Sequence, residues 1–339
     1  MQNEFKNIEN EEISYIDILK ELIKRQSFLF DKVKKGDYSM VCYIEDYDKE
    51  YGIYDKNYSN RVKLAYYILL EHINCEEIIK KLFEEELKDR ETNDWQGIGP
   101  CLEALTFLLM KYNENGTYDV LFQRAKNANF DCACGYDEND KVYEELEQYD
   151  IEDGIFLAID LEDIKVAEKL VELWKKKVIN WDEQSYNELI WFQSCMKQEE
   201  KNEEPRKNLL MIALEKAKNE QEIISTWRKL IHHYVQFNQC EQAYENFINM
   251  IHTRKLTSIY HIRLFEYILE DCLELLCKYP RKAQELWEWV KPFLEERKDN
   301  MFGILYEKSI KAAEAVNDLF AEELIIQYNA WKERVNIRK

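Results

Sequence analysis

The sequence predicts an all-α protein of antiparallel helix pairs, and three observations carry that expectation. Glycine and proline are scarce: eight Gly and four Pro in 339 residues, where average usage of roughly 7% and 5% would give about 40 in all. Sheets and hairpins need those residues at their turns, so the shortage points to long helices joined by short polar corners. Apolar residues recur at helical spacing, as at Ile16, Leu19, Leu22 and Ile23, which is the stripe of an amphipathic helix. In the second half, a small alanine followed four residues later by a large side chain recurs at intervals near 38 to 40 residues.

The elements follow in order. Ile13 to Val33 reads as one helical stripe that continues, after a turn, at Phe28 and Phe30. Asp37 to Asn60 is the least regular part. Its YSMVCYI run has strand chemistry, but the tyrosines and acids around it read as a loop packed on helices. From Arg61 the pattern is paired. A helix through Leu64, Tyr67, Ile68 and His72 ends near Asn74, and its partner runs from Glu76 to about Lys88. A second pair follows, Cys101 to Tyr112 and Tyr118 to Ala128, with Gly116 between them suited to a left-handed turn. The stretch NANFDCACGYDEND, Asn127 to Asp140, reads as a corner. In it Phe130 and either Cys132 or Cys134 pack inward and Gly135 turns the chain. It lacks the second cysteine pair of a structural zinc site and the ligand spacing of a calcium loop.

Residues Trp227 to Met250, WRKLIHHYVQFNQCEQAYENFINM, place Trp227, Leu230 and Tyr234 on one helical face. A corner at Phe237 to Gln239 follows, and Ala243 and Phe247 face back from a second helix. This segment resembles the tetratricopeptide repeat, whose helix A carries large residues and whose helix B carries a small alanine and a Phe. The alanine permits a close helix crossing and the large residues fill the groove beside it. Ile231 and Met250 depart from the pattern, standing where small residues are usual. Weaker copies carry Ala167, Ala283 and Ala321, so the steps from 167 through 243 and 283 to 321 are 76, 40 and 38. The first is twice 38, with a diverged pair between.

The resemblance covers roughly residues 151 to 335. It implies an α/α superhelix, a tetratricopeptide-like solenoid, that binds a protein or peptide in a concave groove lined by its A helices. It implies no catalytic residues and no cofactor. Residues 1–150 are expected to form an N-terminal helical region of diverged pairs and 151–339 the repeats, or the two together one solenoid.

Charge narrows the partners. Lys and Arg number 47 against 67 Asp and Glu, a net charge of −20. Such a balance argues against nucleic acid or an anionic membrane as main partner and permits a basic protein. Twelve acids crowd Asp137 to Asp163 against the single base Lys141. The bland reading is a set of helix N-terminal caps. The sharper one is a docking face for a basic partner, with Glu144, Glu145, Glu147, Asp150, Glu152 and Asp153 as its residues.

No segment carries a secretory signal, a membrane span or a motif of nucleotide binding, metalloprotease or hydrolase chemistry. Nine scattered cysteines read as reduced thiols, and hence cytoplasm. The Lys-, Glu-, Ile-, Asn- and Tyr-rich usage is associated with AT-rich bacterial genomes. His232 and His233 point about 100° apart on a helix, which disfavours joint metal binding; no metal is expected. The functional expectation is a bacterial helical-repeat protein that binds a protein or peptide. The competing class is an immunity protein that neutralises a basic toxin, such as a nuclease, through the acidic face.

Overall fold

The computed structural model describes residues 14–49, 52–93, 97–253 and 263–336. The expected helix start at Ile13 and the histidine at 261 lie outside the described residues. The protein is 73% helix, so the all-helical expectation holds, with one small strand pair as the exception among the described residues. The chain divides into two compact units, Met1–Ile179 and Asn180–Lys339.

The first unit contains α1 (Tyr15–Lys24), α2 (Ser27–Lys34), β1 (Glu45–Asp48), β2 (Gly52–Asp55), α3 (Tyr58–Leu70), α4 (Glu76–Thr92), α5 (Gly99–Met110), α6 (Asp119–Lys126), α7 (Phe130–Gly135), α8 (Ile151–Asp160) and α9 (Ile164–Lys177). α3 is central, packing on α1, α2, α4, α5 and α8. The sequence places a regional change at 150, whereas the units divide at Ile179. The reason is that the pair α8–α9 packs on α1. Gly154 of α8 makes that approach possible, since a Cβ there would lie 3.0 Å from Leu19 Cδ1.

Helix ends follow the corner chemistry. Ser14, Asn129, Asp150 and Asp163 each accept a backbone N–H of the first turn of α1, α7, α8 and α9. Gly116 takes φ 71° at its turn, as its position suggested. Two local expectations are corrected. Phe28 is exposed, and α2 instead buries Leu29 and Val33. Phe130 is 77% exposed and Cys134 exposed, so Cys132 alone of the three packs inward. Gly135 ends α7 rather than turning the chain; a Cβ there would come within 2.9 Å of Ile98 Cδ1.

The region read as a loop holds an antiparallel hairpin, β1–β2, with Asp46 opposite Tyr54 and Tyr47 opposite Ile53. It is fastened from below by charges that lie inside the fold. Asp55, at the end of β2, accepts the Ile44 N–H (2.9 Å) and pairs with Arg61 Nη1 (2.6 Å). Arg61 Nε donates to Glu86 (2.8 Å), and Glu86 also pairs with Arg90. The side chains of Asp55, Arg61, Glu86 and Arg90 are wholly buried. Burial alone would raise the Glu86 carboxyl, but the two arginines overcome it and hold it below the usual range. Gly99, at φ 68°, lets α5 start against this cluster, because a Cβ there would meet Tyr58 Oη at 2.5 Å.

The second unit contains α10 (Glu183–Cys195), α11 (Glu203–Lys216), α12 (Glu220–Gln236), α13 (Cys240–Thr253), α14 (Arg263–Lys278), α15 (Ala283–Arg297), α16 (Gly303–Ala315) and α17 (Phe320–Asn336). Its helices pack in successive pairs, α10 on α11, α12 on α13, α14 on α15 and α16 on α17. The first helices of three neighbouring pairs also touch, α12 on α14 and α14 on α16. One continuous apolar core runs from Ile224 of α12 to Leu324 of α17. α14 is its axis, burying eight of sixteen residues.

Candidate functional site

Ala243 is fully buried in that core and Phe247 nearly so, and Leu230 is buried as well. Trp227 and Tyr234 are partly buried and pack against the same core. The corner between α12 and α13 turns through Asn238 at φ 56°, a conformation asparagine tolerates. The heavy residues at the two departing positions, Ile231 and Met250, are both buried, filling space a smaller side chain would leave. Phe247 meets Trp289 edge-on at 5.0 Å, carrying the core from α13 to α15.

A charged ladder runs across α12, α14 and α16, and its central residue, Asp271, is buried. Arg228 Nε reaches Asp271 Oδ2 at 2.5 Å, and His232 Nδ1 lies 2.7 Å from Asp271 Oδ1. Gln236 donates to Glu274 at 3.3 Å. From α16, Lys308 Nζ lies 3.7 Å from Glu270 and 3.4 Å from Glu274. Arg228 and Arg263 both lie over the Tyr267 ring, at 5.1 and 5.4 Å. Arg228, His232 and Gln236 fall at i, i+4 and i+8, as do Glu266, Glu270 and Glu274, so each set is one helical stripe. Burial pushes the Glu270 carboxyl up, against the pull of Lys308. His233 turns away from His232 into the fold, where burial lowers its pKa and its Nε2 has no hydrogen-bond partner. The two histidines thus diverge, as adjacent residues about 100° apart on a helix do.

The acidic segment of the first unit is placed residue by residue. Glu144 pairs with Lys111. Glu145 Oε1 lies 3.2 Å from His72 Nε2, and Glu147 Oε1 2.8 Å from Lys20 Nζ. Asp150 accepts the N–H of Glu152 (2.9 Å) and of Asp153 (2.8 Å), and Asp153 accepts the Asp150 N–H in return (3.2 Å), a reciprocal cap on α8. Glu152 accepts the Trp174 indole N–H at 3.0 Å, joining α8 to α9. Glu145 and Glu147 share a cleft of about 610 Å³ with Lys20, Lys24, Glu71 and His72. The structure brings those two together and directs Asp150, Glu152 and Asp153 to their own helix pair. Hydrogen bonding to Lys20 draws the Glu147 carboxyl below its usual range.

No protein-family model matches the chain, no curated protein matches it, and no solved structure matches it.

The ladder contains residues that sequence reasoning did not select: Arg228, Asp271, Glu270, Glu274 and Lys308. The signal that would have found them is the stripe itself. On α14, acids recur at Glu266, Glu270 and Glu274 beside the buried Leu269, Cys272, Leu273 and Leu276.

Proposed function

We propose that this protein is a non-catalytic helical-repeat protein that holds a protein or peptide partner along the ladder of α12, α14 and α16. The observation that carries this reading is that three consecutive first helices lie side by side and share one polar stripe, of which His232, Gln236 and Lys308 reach solvent while Asp271 beneath them is buried. A tetratricopeptide-like superhelix uses that side of its helices as a concave binding surface. The mixed charges of the ladder suit a partner with both signs of charge and give orientation rather than bulk affinity. A bacterial cytoplasmic setting fits the nine free cysteines. Among the described residues no helix is long and apolar enough to cross a membrane.

One observation favours the second reading, an immunity protein that captures a basic toxin. The Glu147–Lys20 ion pair and the Glu145–His72 contact are open to solvent, and exposed pairs contribute little to stability. A basic partner can therefore exchange for the internal cation at small cost.

An affinity pull-down from native lysate separates the two. The first reading expects a specific partner lost on K229E/K311E, which reverses charge at exposed positions of α12 and α16, and retained on E144Q/E145Q/E147Q. The opposite pattern would support the toxin reading, and retention on both variants would remove the ladder and the acidic face alike.

A further inference from the structure

The hairpin of the first unit exposes all four residues of β1, and three of them are acids. A lone two-stranded hairpin is marginal in water, and this one is fastened by four wholly buried charged side chains, Asp55, Arg61, Glu86 and Arg90. Burying charges is expensive even when they are paired. A costly fastening beneath a segment that buries little of itself points to a use for what the segment displays. We propose that the outer edge of β1 is a docking edge for an extended basic segment of another protein, added as a third strand.

The backbone makes the two edges of the hairpin unequal. The Lys56 N–H donates to the Ile44 carbonyl at 2.9 Å, so Ile44 and Lys56 form a bonded pair at the hairpin base. Alternation along an antiparallel ladder then makes Asp46 and Tyr54 the next bonded pair and turns the backbone groups of Glu45, Tyr47 and Ile53 outward. On the β2 side that outward carbonyl is occupied, since Asn93 Nδ2 donates to Ile53 O at 2.9 Å. On the β1 side the Tyr47 N–H reaches only the neighbouring Asp46 carboxylate, at 2.8 Å on the surface. An incoming carbonyl can replace that contact, leaving Asp46 Oδ2 to accept the Tyr54 hydroxyl at 3.2 Å.

Side chains set the chemistry of the occupant. Tyr47 is 67% exposed, and Ile53, opposite it on the same face, is exposed too. They offer an apolar contact to alternate residues of an added strand. Glu45, Asp46 and Asp48 surround that contact with negative charge. Acids on an edge strand repel a second copy of the same edge. The same acids attract Lys or Arg at the remaining alternate positions, so the occupant is a strand alternating apolar and basic residues. This surface is independent of the α12–α14–α16 ladder.

The test uses the full chain and a fluorescent probe peptide alternating Lys and Val over eight residues. A control peptide has the same side chains but N-methylated alternate amides, which cannot form the ladder. The expected result is one-to-one binding of the probe, slowed amide exchange at Glu45 to Asp48, and at least about tenfold weaker binding of the control. D46N/D48N and Y47S should each weaken the probe several-fold with the helical circular dichroism unchanged, since all three side chains are exposed. Equal binding of the N-methylated peptide would reduce the surface to a charge patch and overturn the proposal. So would binding that leaves β1 exchange unaltered, absence of binding at low salt, or self-association lost in Y47S, which would make the occupant a second copy.

Discussion

Glu86 lies between two arginines, and its removal gives the largest single-residue effect expected here. Glu86→Gln leaves Arg61 and Arg90 buried without their shared charge partner, a change that costs about 3–5 kcal/mol. A urea titration should show it as a midpoint shift without a new slope, and the hairpin amides should exchange faster. Asp160 behaves in the opposite way. Burial, and then the nearby Glu103, push its carboxyl up to about 6. Its unfolded value lies near 4. The folded state therefore binds the proton more tightly, and stability falls as pH rises from about 4 to about 6, the full penalty being present above that window. Asp160→Asn should stabilise the protein on the order of 1–2 kcal/mol at pH 8, after allowance for its partial exposure, and about half as much at pH 5. Gain independent of pH would show that the carboxyl is not the strained group.

At the scale of the element, Ala243 is the position where the repeat pattern makes a quantitative demand. It is fully buried between α12 and α13, so Ala243→Leu overpacks the crossing and should cost about 1–3 kcal/mol. An unchanged melting temperature would mean the crossing is looser than its burial indicates. This pair was legible in the sequence because its packing is local: Trp227, Leu230 and Tyr234 on one helix meet Ala243 and Phe247 on the next within 21 residues. The hairpin was not legible. Its fastening joins Asp55 and Arg61 to Glu86 and Arg90, residues distant in sequence and of types that read as surface. Phe130 misled for a related reason, because hydrophobicity predicts burial only when the local helix turns that side chain inward. α7 turns Cys132 inward instead. The ladder was half legible: its stripe spacing is in the sequence, but the cross-helix pairs at Asp271 require knowing that α12 and α14 are neighbours.

For the whole molecule, the net charge of −20 makes ionic strength the natural variable. Exposed charges are screened beyond about 8 Å at physiological salt. If the acidic segment is the docking face, E144Q/E145Q/E147Q should slow partner association much more than it speeds dissociation. Stability should shift little, since those acids lie in exposed pairs. If the ladder holds the partner, the triple variant should associate at close to the parent rate. The most direct test of the ladder is site-specific photo-crosslinking in native lysate. A benzophenone side chain is placed in turn at Lys229 on α12, at Lys311 on α16, and at Glu245, exposed on α13. The same partner adduct is expected from the first two positions and none from Glu245. Adducts of equal yield from all three, or from Glu245 alone, would contradict binding along the ladder.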